Sequence, residues 1–174
     1  LISPPKISLP NFKDQLLEVL DTGEIDCFQL RLKDYKDIDF LKIAESIKLL
    51  CDKTKTPLII NDRPDLAKKL QADGTHIGQS DTNIDKSREI LGAEATIGVT
   101  CHNSMHLGFL AAEAGANYVA FGAFFKTKSK TTKFVADLDI IQKWNMLVEI
   151  PLVAIGGITP QNCGPIVKAG ADYI

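Results

Sequence analysis

Cysteine is scarce in this chain of 174 residues, and what there is does not cluster. Cys27, Cys51, Cys101 and Cys163 share no C-x-x-C spacing, which argues against a zinc site or a dithiol redox pair. Cys27 and Cys101 lie inside apolar runs and are expected as buried small side chains. Unpaired thiols suit a reduced compartment, so a cytoplasmic protein is expected. An excess of one charge is also lacking. Lys and Arg number 20 against 22 Asp and Glu, a net of −2, and the basic residues are scattered, leaving no electrostatic footprint for nucleic acid. Long hydrophobic runs are missing as well: the longest, at 151–155 and 118–125, fall far short of a membrane span. Leu1 leads straight into Pro4, Pro5 and Lys6, so no signal peptide is expected. What remains is an ordinary globular composition, 45% apolar and 24% charged. Its length suits a single domain over 1–174 with a real core.

Short apolar runs alternate with longer amphipathic stretches from end to end. Strands are predicted at 26–30, 57–60, 74–77, 96–99, 118–121 and 151–155, with weaker ones at 1–3 and 172–174. The six clear runs are rich in Ile, Leu, Val or Phe without alternation, which is how a strand covered on both faces reads. The clearest helix is 38–51, where Leu41, Ile43, Ala44, Ile47, Leu50 and Cys51 form one apolar stripe. Further helices are predicted at 103–114 and 137–147, and at 161–169 with Pro160 as its first-turn proline. Gly115 and Gly170 stand where a left-handed C-terminal residue is wanted. Repeating βα units imply a parallel sheet with right-handed crossovers. They close as a barrel or open as a doubly wound sheet. Two near-repeats, Glu113-Ala-Gly-Ala-Asn-Tyr-Val-Ala and Lys168-Ala-Gly-Ala-Asp-Tyr-Ile, favour the barrel, though similar αβ loops also arise by chance. A full (β/α)₈ barrel needs roughly 20 residues beyond Ile174 for its eighth unit.

In a parallel barrel the chemistry gathers at the C-terminal strand ends, and polar residues stand there after nearly every predicted strand. Gln29, Arg31 and Lys33 alternate with Leu30 and Leu32, so one side presents two cations and an amide. That suits an anionic group, or else a solvated strand end with Arg31 paired to a neighbouring acid. Asn61, Asp62 and Arg63 follow the next strand, and Gly78, Gln79, Ser80 and Asp81 the one after. Asp62 and Asp81 come from adjacent strand ends, and two carboxylates are what Mg²⁺ uses when phosphates supply its other ligands. Alternatively, Asp62 caps the helix starting at Pro64 and Asp81 the one near Asn83. Thr100 and His102 follow the strand at 96–99. A hydroxyl-and-lysine loop, 127–133, follows the strand at 118–121, either a phosphate cover or a plain exposed loop. Gly156 and Gly157 precede a helix, where backbone amides can meet an anion or a tight turn simply needs glycine. His76 and His106 are expected as structural residues, and His102 is open. No nucleophile–base–acid set is legible.

Gln29-Leu-Arg-Leu-Lys33, Ile60-Asn-Asp-Arg63, Asp73-Gly-Thr-His-Ile-Gly-Gln-Ser-Asp81, Ile97-Gly-Val-Thr-Cys-His102 and Ala154-Ile-Gly-Gly-Ile-Thr159 together resemble the thiamine phosphate synthase family, in order and spacing across the chain. The resemblance implies a (β/α)₈ barrel using Mg²⁺. It also implies the reaction: hydroxymethylpyrimidine pyrophosphate joins the ring nitrogen of hydroxyethylthiazole phosphate, releasing pyrophosphate. Carried over, Gln29, Arg31, Lys33, Asn61, Thr100 and Lys130 would hold the pyrimidine pyrophosphate. Of these, Arg31, Lys33 and Lys130 would neutralise the departing charge. Asp62 and Asp81 would bind Mg²⁺, while Thr127, Ser129 and Gly157 would contact the thiazole phosphate. Three positions depart from the family pattern: Thr100 for serine, Lys126 for proline and Thr131 for a second lysine. Family contacts to the thiazole phosphate from an eighth strand would lie beyond Ile174. The partners expected are these small molecules, with no nucleic acid or membrane; a homo-oligomer stays open. The competing readings are a thiazole tautomerase without metal, a non-catalytic phosphate-binding regulatory barrel, and a generic phosphosugar barrel enzyme.

Overall fold

The computed structural model describes residues 1–127 and 134–174. Helices and strands alternate along it: α1 (Leu9–Leu20), β1 (Phe28–Leu30), α2 (Asp37–Thr54), β2 (Leu58–Asn61), α3 (Pro64–Leu70), β3 (Gly74–Ile77), α4 (Ile84–Leu91), β4 (Thr96–His102), α5 (Met105–Glu113), β5 (Tyr118–Gly122), α6 (Leu138–Leu147), β6 (Leu152–Ile155) and α7 (Gly164–Ala169). The chain divides into two compact units. The first holds Leu1–His76 and Lys86–Thr96, the second Ile77–Asp85 and Ile97–Ile174.

In the first unit β1 runs parallel to β2, and β2 to β3, in chain order. The predicted strand at 1–3 is a single parallel bridge, Ile2 to Gln29. Its hydrogen bonds run from Ser3 N–H to the Gln29 carbonyl and from Gln29 N–H to the Leu1 carbonyl. The core packs Phe28, Leu30, Leu58 and Ile60 of the strands against Phe40, Ala44, Ile47 and Cys51 of α2. The α2 stripe is the predicted one with Phe40 added and Leu50 only partly buried. Each fully buried Leu, Ile or Phe contributes about 1.5–3 kcal/mol, so the stripe holds the helix down more firmly than intrinsic propensity would.

In the second unit β4, β5 and β6 are also parallel and in chain order. Trp144 of α6, fully buried, is its centre. The indole N–H donates to the Ile150 carbonyl at 2.8 Å, while Phe109 and Phe121 pack on the ring. The weak strand at 172–174 is again one parallel bridge, Tyr173 to Val153. Four helix starts differ from expectation: α2 opens one residue early, at Asp37, and α5 opens at Met105 with Ser104 as its N-cap. Asp137 is not the first residue of α6 but its N-cap, its carboxylate accepting from Asp139 N–H. The last helix begins at Gly164, with Pro165 rather than Pro160 in its first turn. Residues 159–163 form a turn instead, because the Asn162 side chain accepts from Thr159 N–H at 2.7 Å and donates to the Gly157 carbonyl at 3.0 Å. An Asn side chain bonding its near backbone is a common competitor of helix.

Cys51 and Cys101 are buried, whereas Cys27, expected in the core, is only partly so. Burial pushes the Cys51 and Cys101 thiols up to about 12. The near-repeat in the αβ loops has a structural job. Asp73, Asn117 and Asp172 each precede a strand or bridge residue, and each side chain accepts from the N–H of a residue opening the previous strand. Those donors are Leu58 at 2.8 Å, Ile97 at 2.8 Å and Leu152 at 2.9 Å. Gln71, Gly115 and Gly170, two residues earlier in each case, all take the left-handed conformation.

Candidate active site

In the first unit the parallel register Leu30 to Ile60 brings the ends of β1 and β2 side by side. Arg31 and Asn61 stand one residue further along each chain. Gln29, on β1, is buried at 9% exposure, and its two neighbours in the motif follow the strand rather than belong to it. Arg31 is half-buried, and its N–H donates to the Ser3 hydroxyl at 2.8 Å. Leu30 is fully buried and Leu32 packs partly against the same core, as the alternation requires. Lys33 Nζ lies 3.4 Å from Asp62 Oδ2, the two side chains being 46% and 26% exposed.

Asp62 is held in an unusual conformation, φ +63°, while its N–H donates to the His76 carbonyl at 2.7 Å. An L-residue in that region costs about 1–2 kcal/mol, and residues so held concentrate where geometry matters. Asp62 is not the cap of α3: the N-cap is Arg63, with no side-chain cap bond. Arg63 has a different task. Nη1 and Nη2 donate to Asp37 at 2.8 and 2.9 Å, while Nε and Nη2 donate to Asp65 at 2.8 and 2.7 Å. The fork joins the first turn of α2 to the first turn of α3. The Arg63 hydrogen bonds hold both carboxyls below the usual range, against the opposing effect of desolvation.

In the second unit Asp81 is exposed, and its Oδ2 accepts from Gly78 N–H at 2.8 Å, closing the turn after β3. The helix α4 starts only at Ile84. Gln79 Nε2 donates to the Thr100 carbonyl at 2.7 Å, so a residue named only among the polar ones after its strand buttresses β4 at Thr100. At the end of β4, His102 also takes a left-handed φ of +54° and stacks on Phe134, ring centroids 4.6 Å apart. The ends of β5 and β6 meet. Phe125 N–H donates to the Gly156 carbonyl at 2.9 Å. Gly157 has φ +69°, and a Cβ there would stand 2.4 Å from the Lys126 carbonyl oxygen. Gly157 is therefore demanded by close backbone approach, next to Thr127. It does not sit at the start of α7, whose N-cap is Cys163, so the expectation of glycine amides at that helix N-terminus fails. Ser129 and Lys130 lie outside the described residues.

Among the described residues no group of three or more His, Cys, Asp or Glu side chains gathers as a metal cage. Nor is any helix long and apolar enough to cross a membrane.

A family model described as thiamine monophosphate synthase matches residues 1–174. The chain belongs to the thiamine monophosphate synthase family. It is 46% identical over 174 residues to the thiamine-phosphate synthase of Rhodospirillum centenum, covering 100% of this chain and 84% of that protein. The thiamine-phosphate synthase of Pelagibacter ubique is also 46% identical, with the same coverage. Among solved structures, the thiamine phosphate pyrophosphorylase from Pyrococcus furiosus superposes with a TM-score of 0.84 at 29% identity. It covers 95% of this chain and 79% of that one. The barrel class expected from the βα order is thereby borne out: the fold is α/β and TIM-barrel-like.

Sequence reasoning missed Ser3, Asp37, Asp65 and Asn162. Ser3 and Asp37 act across 28 and 26 residues, and nothing in local spacing marks them. Asn162 carried a signal in Thr159-Pro-Gln-Asn162, a turn-forming run.

Proposed function

We propose that the chain is a thiamine-phosphate synthase of thiamine biosynthesis, joining a hydroxymethylpyrimidine pyrophosphate to a hydroxyethylthiazole phosphate. The family match over all 174 residues carries this reading, and the composition of the strand ends supports it. The thiazole nitrogen supplies its lone pair to the pyrimidine methylene carbon, the C–O bond to pyrophosphate breaks, and pyrophosphate leaves with the electron pair. No general base is required, in keeping with a site rich in cations and amides.

Each residue has a part in that step. Arg31, Lys33 and Lys130 hold and neutralise the pyrophosphate as its charge grows, an electrostatic contribution that is strongest where donors are held in place beforehand. Gln29, Asn61 and Thr100 orient the pyrimidine substrate through an amide, an amide and a hydroxyl. Thr127, Ser129 and Gly157 hold the thiazole phosphate, Gly157 offering backbone where no side chain fits. Asp62 and Asp81 are the candidate Mg²⁺ ligands. Their fit is chemical: two hard carboxylates, one with a 26% exposed side chain and one exposed, with phosphate oxygens left to fill the shell. When bound, the metal stabilises charge on the leaving oxygens.

The test is thiamine phosphate formation by purified protein given both substrates and Mg²⁺, followed by chromatography. Asp62→Asn and Asp81→Asn should each lower kcat/KM by at least about a hundredfold with circular dichroism unchanged. A folded protein that forms no thiamine phosphate would sink the synthase reading. Full turnover in both variants would remove the metal assignment alone.

A further inference from the structure

On the reading above, Lys33 and Asp62 serve opposite charges, the ammonium a pyrophosphate and the carboxylate a dication. The fold sets the two against each other. Lys33 Nζ lies 3.4 Å from Asp62 Oδ2, and a cation at that distance opposes the approach of a second cation to the same oxygen. The encounter is built into the chain. Lys33 lies between β1 and α2, four residues before Asp37, and Asp62 is joined directly to Arg63. The Arg63 fork onto Asp37, at 2.8 and 2.9 Å, ties the segment after β1 to the segment after β2. Bidentate pairing of this kind fixes geometry as well as charge. Asp62 is further fixed by its bond to the His76 carbonyl and its left-handed backbone. The long, half-exposed Lys33 side chain is the partner with room to swing.

We propose that Lys33 makes dication binding at Asp62 conditional on the pyrophosphate. The anionic oxygens of a pyrophosphate draw the ammonium away from the carboxylate, and Asp62 then serves the metal. Dication and pyrophosphate thus bind cooperatively, each raising the affinity for the other by the same factor. The free dication alone is held weakly, and the charged leaving group arrives together with its counter-ion. This inference rests on the synthase reading and adds an order of events to it.

The experiment titrates Mn²⁺ alone into the whole protein at low ionic strength, with free Mn²⁺ read by electron paramagnetic resonance. Lys33→Gln should bind Mn²⁺ about fivefold more tightly than wild type, the low end of ordinary coupling between sites. Lys33→Arg, which keeps the charge, should bind as wild type does. In Lys33→Gln combined with Asp62→Asn the gain should vanish, because the interaction removed is specific to that pair. Three results would overturn the proposal: no tightening in Lys33→Gln, equal tightening in Lys33→Arg, or a gain that persists without Asp62. Thiamine phosphate formation by wild type, measured in parallel, keeps a failure of this inference separate from a failure of the synthase reading.

Discussion

Arg63 makes four N–H···O bonds to two carboxylates. All three side chains are substantially exposed, and exposed ion pairs taken singly contribute little. A bidentate network that cross-links two helix starts is the exception, because closing it orders chain as well as charge. Its pH dependence follows from the direction of the shifts. Asp37 and Asp65 are held below the ordinary carboxylate value by Arg63, so between folded and unfolded values the unfolded chain binds more protons. The stabilisation is fully present above about pH 4, the unfolded carboxylate range. It is lost as pH falls below that towards the folded values. Arg63→Gln should therefore melt lower than wild type at pH 6, with the gap shrinking as the melts are repeated towards pH 3. A gap of constant size across that range would mean that packing of the Arg63 stem, and not its charge, is what holds the helices.

At the scale of elements, the αβ turns repeat one device, a side-chain acceptor just ahead of a strand that catches the N–H at the opening of its predecessor. The device lies at the N-terminal side of the strands, away from the residues proposed to bind substrate, so its loss should affect stability and spare turnover. Asn117→Ala removes the acceptor for Ile97 N–H. It should cost about 1–2 kcal/mol in urea unfolding, whereas Asn117→Asp, which keeps an oxygen there, should recover most of that. If Asn117→Ala unfolded at the wild-type midpoint, the repeated motif would be a coincidence of loop length. The six clear strands and the α2 stripe were legible because they are properties of the local chain, whereas α1 was not foreseen. Element ends were less legible. Pro160 suits a turn as well as a first helical position, and only the Asn162 side chain decides between them.

Across the whole chain, what could be read from the sequence was the row of strand ends, because a parallel βα fold puts its chemistry there whatever the distance along the chain. The Lys33–Asp62 and Arg63–Asp37 pairs could not be read, because each joins residues 26 or more apart whose partnership depends on strand register. Two buried thiols report on whether the packing holds. Cys51, in the last turn of α2, is 1% exposed in the first unit's core, and Cys101, on β4, is fully buried in the second's. Desolvation raises both to about 12, against about 8.5 for a free thiol. At pH 8 the thiolate fraction falls by roughly a thousandfold, and the thiolate is the reactive form. Ellman's reagent should therefore modify Cys51 and Cys101 at least about a thousand times more slowly in native protein than in concentrated guanidinium. Peptide mass mapping at successive denaturant concentrations follows each unit through its own residue. Rapid native modification of Cys51 would show that α2 is not seated on the β1–β2 core, and of Cys101 that β4 is not enclosed by the packing around Trp144.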